Sequence, residues 1–224
     1  MLPHYDLEFR AVSDIISYAD SFVLPKYQRP YVWSEADACA FVDTILMGLP
    51  VGTVVLREVH HAINGEWSSQ LLIIDGQQRI STLLGRSLGN GGKAHRVCIE
   101  AHPTSKGDPI RALGSGARAV IGTGPGRIPI EMLGRSECWW ASIVAAAGLD
   151  PTVHKDWRGI SKDDLNLAPY SNAEDLFRGA RIPWLTFKSD ATDEQISEAF
   201  RRMNIGGVSM PPEEVERLLG EGVK

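Results

Sequence analysis

The residues best suited to chemistry lie where an apolar run gives way abruptly to a polar one. Leu71 to Ile74 predict a buried strand, and Asp75-Gly76-Gln77-Gln78-Arg79 follow at once. A helix predicted from Gln77 to about Leu84 points its free N–H groups and positive dipole end at this turn. Gly76 permits close approach of a ligand, and the Arg79 guanidinium can bind phosphate in two places. The pattern favours a phosphate site.

Asp75 ends the predicted strand, where it could hold a metal ion or accept a proton. A plainer interpretation is a helix N-terminus with an aspartate cap and a surface arginine, and the residues alone leave both open. The glycine-rich stretch from Gly114 to Gly126 is not a Walker A loop, because the sequence contains no GxxxxGK[ST]. HExxH and paired CxxC motifs are also missing, which argues against zinc.

A second segment, from Leu24 to Trp33, combines aromatic and basic residues. Its two prolines exclude a regular helix. Tyr27, Tyr31 and Trp33 could stack on a base or sugar, beside the positive charge of Lys26 and Arg29. Aromatic residues more often pack in a core, so both interpretations stay open.

A third segment ends a predicted helix with polar and small residues. Asn204, Gly206 and Gly207 indicate a helix C-cap, a structural motif, and Arg201 and Arg202 are expected on a solvated face.

The elements that must position these segments mix without a regular βαβ rhythm, which predicts the α+β class. Asn64-Gly65 predicts a hairpin between strands at 52–59 and 67–74. The remaining predictions are a helix from a Ser13 N-cap to about Asp20, a helix from the capping box Ser34–Asp37 to about Met47, a loop or insertion at 102–126, a helix at 131–147, a polar connector at 154–170, a strand at Arg181–Phe187, a helix from the capping box Thr192–Gln195 to about Met203, and a short helix opened by Pro211-Pro212.

Length and composition predict one domain over residues 1–224, with a variable insertion at about 102–170. The net charge of -5 argues against a protein that coats nucleic acid. From Gly76 to Arg135, however, nine Lys or Arg stand against three acids, which could face phosphates or lie in a solvated loop. The sequence has no secretory signal, no apolar run long enough to span a bilayer, and three isolated cysteines. We therefore expect a cytoplasmic protein that does not associate with a membrane.

Together the three segments resemble the DGQQR-bearing family that forms the N-terminal part of GmrSD-type modification-dependent restriction enzymes. The first block of that family stands here as Leu24-Pro25-Lys26-Tyr27-Gln28-Arg29-Pro30-Tyr31-Val32-Trp33. The second is Leu49-Pro50-Val51-Gly52 followed by Ile74 to Leu83, and the third runs from Phe200 to Gly207. The blocks occur in the family's order and cover most of the chain except about 102–170.

The resemblance implies a ParB/sulfiredoxin-like α+β fold that binds a nucleoside triphosphate, ATP or another NTP, with Mg²⁺. Asp75 would then be the metal-proximal or proton-accepting carboxylate, with Gln78 and Arg79 on phosphate oxygens. The remaining phosphate-binding positions implied are Gln28, Arg29, Gly76, Gln77, Ser81 and Thr82.

Two functions follow from the resemblance. The first is an NTP-dependent kinase acting on DNA, which phosphorylates the hydroxymethyl group of a modified base such as 5-hydroxymethyluracil. The second is an NTP-binding or NTP-hydrolysing sensor of modified DNA. Restriction proteins of this type contain or pair with an HNH-type nuclease, and no His-Asn-His spacing is present in this sequence, so the sensor would need a nuclease partner. A non-enzymatic ParB-like clamp fits the acidic net charge least well.

Overall fold

The computed structural model describes residues 4–25, 28–63, 66–89, 92–101, 117–123, 127–133 and 176–204. The described strands are β1 (Tyr5–Ala11), β2 (Phe22–Val23), β3 (Val54–Ile63), β4 (Glu66–Asp75), β5 (Val97–Ala101), β6 (Ala117–Ile121), β7 (Arg127–Pro129) and β8 (Arg181–Phe187). The described helices are α1 (Val12–Ser17), α2 (Glu35–Leu46), α3 (Gln77–Leu84) and α4 (Asp193–Asn204), with a 3₁₀ turn at Ile130–Met132. The α+β class is confirmed.

Five strands form a mixed sheet in the order β1-β8-β3-β4-β2. β1 runs antiparallel to β8 and β3 to β4, whereas β3 and β8, like β2 and β4, are parallel. On one face, Leu56 and Ile73 join the apolar cluster that contains the buried residues of α1, α2 and α3. On the other, Ile74 and Phe187 pack with Ile196 of α4. The apolar end of β4 is thus explained by burial on both faces, and this mixed sheet with surrounding helices is compatible with the expected ParB/sulfiredoxin-like fold.

A second sheet of three strands has the order β6-β5-β7. Ala119 and Ile128 belong to the same apolar cluster as the larger sheet, and the Ala119 N–H donates to the Asp43 carboxylate of α2 at 2.7 Å. The loop predicted for 102–126 is therefore wrong at 117–121, where antiparallel pairing with β5 makes a strand of a locally glycine-rich sequence. Residues 102–116 and 134–175, with the predicted connector and most of the predicted helix at 131–147, lie outside the described residues.

The capping signals predicted from sequence set two helix starts. Ser34 Oγ accepts the Asp37 N–H at 3.2 Å, while the Asp37 carboxylate accepts the Ser34 N–H and hydroxyl at 3.0 and 2.7 Å. These hydrogen bonds from Ser34 lower the pKa of the Asp37 carboxyl. The Thr192 and Gln195 side chains exchange the same reciprocal contacts at the start of α4. Both predicted capping boxes are confirmed.

The first helix begins earlier than predicted. Ala11, not Ser13, is the N-cap of α1, and the helix ends at Ser17 rather than Asp20. Strand β1 runs directly into it, and the Asp14 carboxylate accepts the Ala11 N–H at 3.1 Å. The end of β1, which the sequence pattern did not reveal, therefore sets the start of the helix. In the described part of the chain, no helix has the length and apolar character needed to span a bilayer.

The hairpin of β3 and β4 is confirmed by its register, which places Ile63 opposite Glu66. Asn64 and Gly65 themselves lie outside the described residues. At the other end of this pair, Val55 faces Asp75, so the hairpin delivers the polar DGQQR residues to the edge where α3 begins.

Candidate functional site

The turn between β4 and α3 is built on a glycine that no other residue replaces without strain. Gly76 is the N-cap of α3 with a left-handed φ of 93°. A Cβ at this position would lie 3.1 Å from Val54 Cγ2 and 3.3 Å from Val54 Cα. The turn therefore packs directly on β3, and the first N–H groups of α3 are presented at the end of the strand.

A cleft of about 160 Å³ opens at this turn. Its lining residues come from the two main sequence blocks and are Gln28, Arg29, Trp33, Asp75, Gly76, Gln77, Gln78 and Arg79. Arg79 Nη2 donates to Asp75 Oδ2 at 3.1 Å. The Arg79 side chain is 18% exposed and that of Asp75 is 45% exposed, so the carboxylate remains open to solvent on the side away from the guanidinium.

Gln77 is the least satisfied polar residue of the cleft. It is only 5% exposed, and its Nε2 has no hydrogen-bond partner in the described structure. A buried amide donor without an acceptor costs about 1–3 kcal/mol. Because Gln77 lines the cleft, an acceptor atom that binds there and reaches Nε2, such as a phosphate oxygen, would remove this cost.

Gln78 points into the protein and binds main chain. Its Oε1 accepts the N–H groups of Val32 and Trp33 at 2.9 and 3.2 Å, and its Nε2 donates to the Pro30 carbonyl at 3.3 Å. The side chain is 8% exposed. Gln78 therefore holds the first block against α3, and these contacts occupy both of its polar atoms.

Gln28 makes the complementary contact from the first block. Its Nε2 donates to the Ile74 carbonyl at 2.8 Å and lies 3.4 Å from the Ile73 carbonyl. The first block and the β4–α3 turn are thus tied together by two glutamine side chains, each of which binds the other segment's backbone. His95 supports the same loop, because its Nε2 lies 3.0 Å from the Trp33 carbonyl.

The aromatic residues of the first block differ in their access to the cleft. Tyr31 is buried, with its hydroxyl 2.8 Å from Thr82 Oγ1 and its ring edge-on to His95. Trp33 is half-buried, packs on Phe41 at 5.3 Å between ring centroids, and lines the cleft. Tyr27 lies outside the described residues. Of the three predicted stacking residues, Trp33 is the one that the described structure brings to the cleft.

Ser81 and Thr82 lie away from the cleft. Both are fully buried, and neither lines it. Thr82 Oγ1 also donates to the Gln78 carbonyl one helical turn earlier, at 2.8 Å. Of the predicted C-cap residues, Asn204 is the last residue of α4, while Gly206 and Gly207 lie outside the described residues.

Gly52 is a site residue that the sequence reasoning left without a role. A Cβ at this position would overlap the Arg79 guanidinium. The available signal was its place in the Leu49–Gly52 block, next in order to the first block.

No group of three or more His, Cys, Asp or Glu side chains that could hold a metal ion occurs among the described residues. Asp75 is the carboxylate that lines the cleft. Such a donor set fits Mg²⁺ bound chiefly by substrate phosphates and water, since this ion commonly uses one or two protein carboxylates.

The basic stretch from Gly76 to Arg135 is largely neutralised by ion pairs in its described part. Arg118 and Arg127 both donate to Glu100, at 2.6–3.0 Å, and Arg96 donates to Glu131 at 2.8 Å. Burial raises the pKa of the Glu100 carboxyl, but hydrogen bonds from the two arginines outweigh it and the net shift is downward. The number of Lys and Arg residues in this stretch therefore overstates the positive charge that is available to bind phosphate.

The chain matches the family model described as GmrSD restriction endonuclease, N-terminal domain, over residues 12–102. This segment contains the first block, Gly52, β4, the cleft and α3. The comparison with curated proteins finds no match. The match therefore covers residues 12–102, which contain the first two of the three blocks on which the resemblance rests.

Proposed function

We propose that this protein is the NTP-binding and NTP-hydrolysing sensor of a modification-dependent restriction system, acting with a nuclease on a partner chain. The observation that carries the proposal is the cleft at the N-terminus of α3, which lies inside the matched segment and brings together guanidinium, amide and carboxylate groups. Modified duplex DNA would be the ligand that the sensor reports, and the cytoplasm its place of action.

The chemistry of the cleft supports binding of phosphate. Arg29 and Arg79 offer two guanidinium groups, and Gln77 offers a buried donor that lacks an acceptor among the described residues. The free N–H groups and dipole of α3 add to this positive potential. A volume of about 160 Å³ is below the 300–1,000 Å³ of typical small-molecule pockets. The cleft is therefore large enough for the phosphate groups of a nucleotide but not for the whole molecule. The base would lie outside the cleft, near Trp33.

Asp75 supplies the acid–base or metal-binding group of the proposal. Its half-exposed carboxylate lies beside the phosphate-binding guanidinium of Arg79, where it can orient an attacking water or bind Mg²⁺. Bound Mg²⁺ would neutralise charge on the phosphate oxygens.

The proposed ligand set is smaller than the sequence predicts. It comprises Asp75, Gly76, Gln77, Arg79 and Arg29. Gln28 and Gln78 become positioning residues, because their amides bind main chain. Ser81 and Thr82 have no proposed contact with the nucleotide, since both are buried away from the cleft.

A DNA kinase is the second candidate. The exposed Asp75 carboxylate favours it, because an accessible base could accept the proton of a hydroxymethyl group on 5-hydroxymethyluracil. The family match favours the sensor, since the matched domain is named for a restriction endonuclease.

One experiment separates the two candidates. The protein is incubated with γ-³²P-labelled ATP, GTP or CTP and Mg²⁺, alone and with duplexes that contain thymine, 5-hydroxymethyluracil or 5-hydroxymethylcytosine. Free phosphate and labelled DNA are measured for wild type, D75N and the control D190N, which makes the same change at a comparably exposed carboxylate outside the cleft.

The sensor predicts release of free phosphate that modified DNA stimulates, that D75N abolishes and that D190N leaves unchanged. Labelled DNA that disappears in D75N would establish the kinase instead. Neither hydrolysis nor transfer with any of the three nucleotides would overturn the proposed function.

A further inference from the structure

Gly52 lies directly beneath the guanidinium of Arg79. A Cβ built at position 52 would approach Arg79 Nη1 more closely than non-bonded atoms do, and would lie 3.3 Å from Cζ. The guanidinium therefore occupies the space that any side chain at position 52 would need. Gly52 lies in the loop before β3 and Arg79 belongs to α3, so this contact joins two segments that are distant in the sequence.

Two contacts define the orientation of Arg79. The face of Gly52 limits the guanidinium on the Nη1 side, and Asp75 Oδ2 accepts from Nη2 at 3.1 Å. A free arginine side chain loses rotamer entropy when its guanidinium is fixed by a ligand. Fixing its fork before the ligand arrives removes part of that cost from binding.

We propose that Gly52 is a positioning residue for Arg79, and that the missing side chain at position 52 keeps the guanidinium aligned for a phosphate group. The inference rests on the proposed nucleotide site. Any side chain larger than hydrogen displaces the guanidinium from Asp75 and from its place in the cleft, so at least one of the two phosphate contacts of the fork is lost.

The backbone does not require glycine at this position. Gly52 is not among the glycines with positive φ, unlike Gly76 with its φ of 93°. The atoms that a Cβ would displace belong to the end of a flexible side chain, whereas at Gly76 they include the main chain of Val54. Alanine at position 52 is thus expected to move Arg79 and leave the fold intact.

The test is a double-mutant cycle of G52A and R79K, with the dissociation constant of ATP, GTP or CTP with Mg²⁺ measured by calorimetry. Lysine keeps the charge at position 79 but lacks the fork that meets Gly52. We expect each single variant to bind about 10-fold more weakly, as the loss of one charge-assisted hydrogen bond implies. The double variant should bind like R79K, because G52A has no fork left to displace.

Three controls accompany the cycle. G179A adds a methyl group where no atom of the described residues lies within 4 Å, so its affinity should equal that of wild type. The urea midpoint of G52A should also equal that of wild type. The Arg79 Nε–H resonance in ¹⁵N NMR should shift in G52A and stay in place in G179A.

The proposal is overturned if G52A binds nucleotide like wild type, if G52A weakens binding by the same factor in the R79K background, or if G52A does not fold. Failure of the proposed function has a different signature. In that case no nucleotide binds to wild type or to any variant, and the Arg79 resonance alone decides whether Gly52 positions the guanidinium.

Discussion

Two arginine–carboxylate pairings of this protein differ in how many hydrogen bonds the carboxylate accepts and in how exposed it is. In the three-stranded sheet, Glu100 accepts three hydrogen bonds from Arg118 and Arg127, and its side chain is 19% exposed. At the cleft, Asp75 accepts one hydrogen bond from Arg79 at 3.1 Å, and its side chain is 45% exposed. The first carboxylate is nearly saturated, whereas the second keeps acceptor capacity toward solvent.

The difference separates a structural ion pair from a candidate binding site. Glu100 joins β5 to β6 and β7 and is complete without a ligand. The cleft instead combines an open carboxylate, an exposed Arg29 and a Gln77 donor that has no partner in the described structure. Counting arginines in the sequence cannot distinguish these two cases, but the number of satisfied contacts at each carboxylate does.

The largest effect is expected from loss of the Arg79 charge. R79M should weaken nucleotide binding about 100-fold, because it removes the proposed bidentate, charge-assisted contact with phosphate. R118M deletes an equivalent charge outside the cleft and should change affinity less than about twofold. Calorimetric titration with the nucleotide that wild type binds measures both. Equal losses in the two variants would show that general charge, and not the cleft, attracts the ligand.

The second comparison concerns the adjacent glutamines. Q78M should lower the free energy of unfolding by about 2 kcal/mol, since it leaves main-chain groups of the Pro30–Trp33 loop without partners. Urea denaturation followed by circular dichroism measures the change. An unaltered midpoint would mean that Gln78 does not hold the first block.

Q77M should act with the opposite sign on stability. The Gln77 amide donor has no partner among the described residues, so replacing it by an apolar side chain of similar shape should raise the free energy of unfolding by up to about 1 kcal/mol. The same change should weaken nucleotide binding, because the proposed donor to phosphate is removed. A variant that is destabilised, or that binds nucleotide normally, would contradict a ligand-directed role for Gln77.

The smallest effect is expected from pH and concerns Glu100. Its pKa is lowered, so its contribution to stability is complete above the pKa of the unfolded chain, about 4.3, and is lost as the pH falls through the folded value. E100Q should therefore be less stable than wild type at pH 7 by less than about 1 kcal/mol. The two proteins should converge in stability at low pH. Urea midpoints from pH 7 to pH 3 measure this, and a constant difference across the range would refute it.

Local signals in the sequence predicted the elements around the cleft well. Ser34 with Asp37 fixed the start of α2, and the change from apolar to polar residues after Ile74 located α3 with both of its bounds. Each of these signals depends on residues within one helical turn of one another. Pairing between distant segments was not predictable in this way, as β1 and the three-stranded sheet show, because the partner strand decides whether such a segment becomes a strand.

The directions of individual side chains were the least predictable part of the site. Gln77 and Gln78 are identical in type, yet the Gln78 amide binds main chain of the first block, whereas the Gln77 donor has no partner within the described ranges. Successive residues of a helix point about 100° apart, so a single step decides the contact. Ser81 and Thr82 were expected at the phosphates as helix N-terminal donors, but both lie in the second turn of α3 and are buried away from the cleft.

The exchange of glutamine contacts between the first block and the β4–α3 turn has an evolutionary consequence. Gln28 and Gln78 bind main-chain groups, and every residue type supplies the same carbonyl, while every type except proline supplies the same N–H. No substitution at Ile74, Val32 or Trp33 can therefore compensate for the loss of either amide. We expect these two positions to be retained within relatives without a covarying partner, so that methods which infer contacts from correlated substitutions would miss the link that closes the cleft.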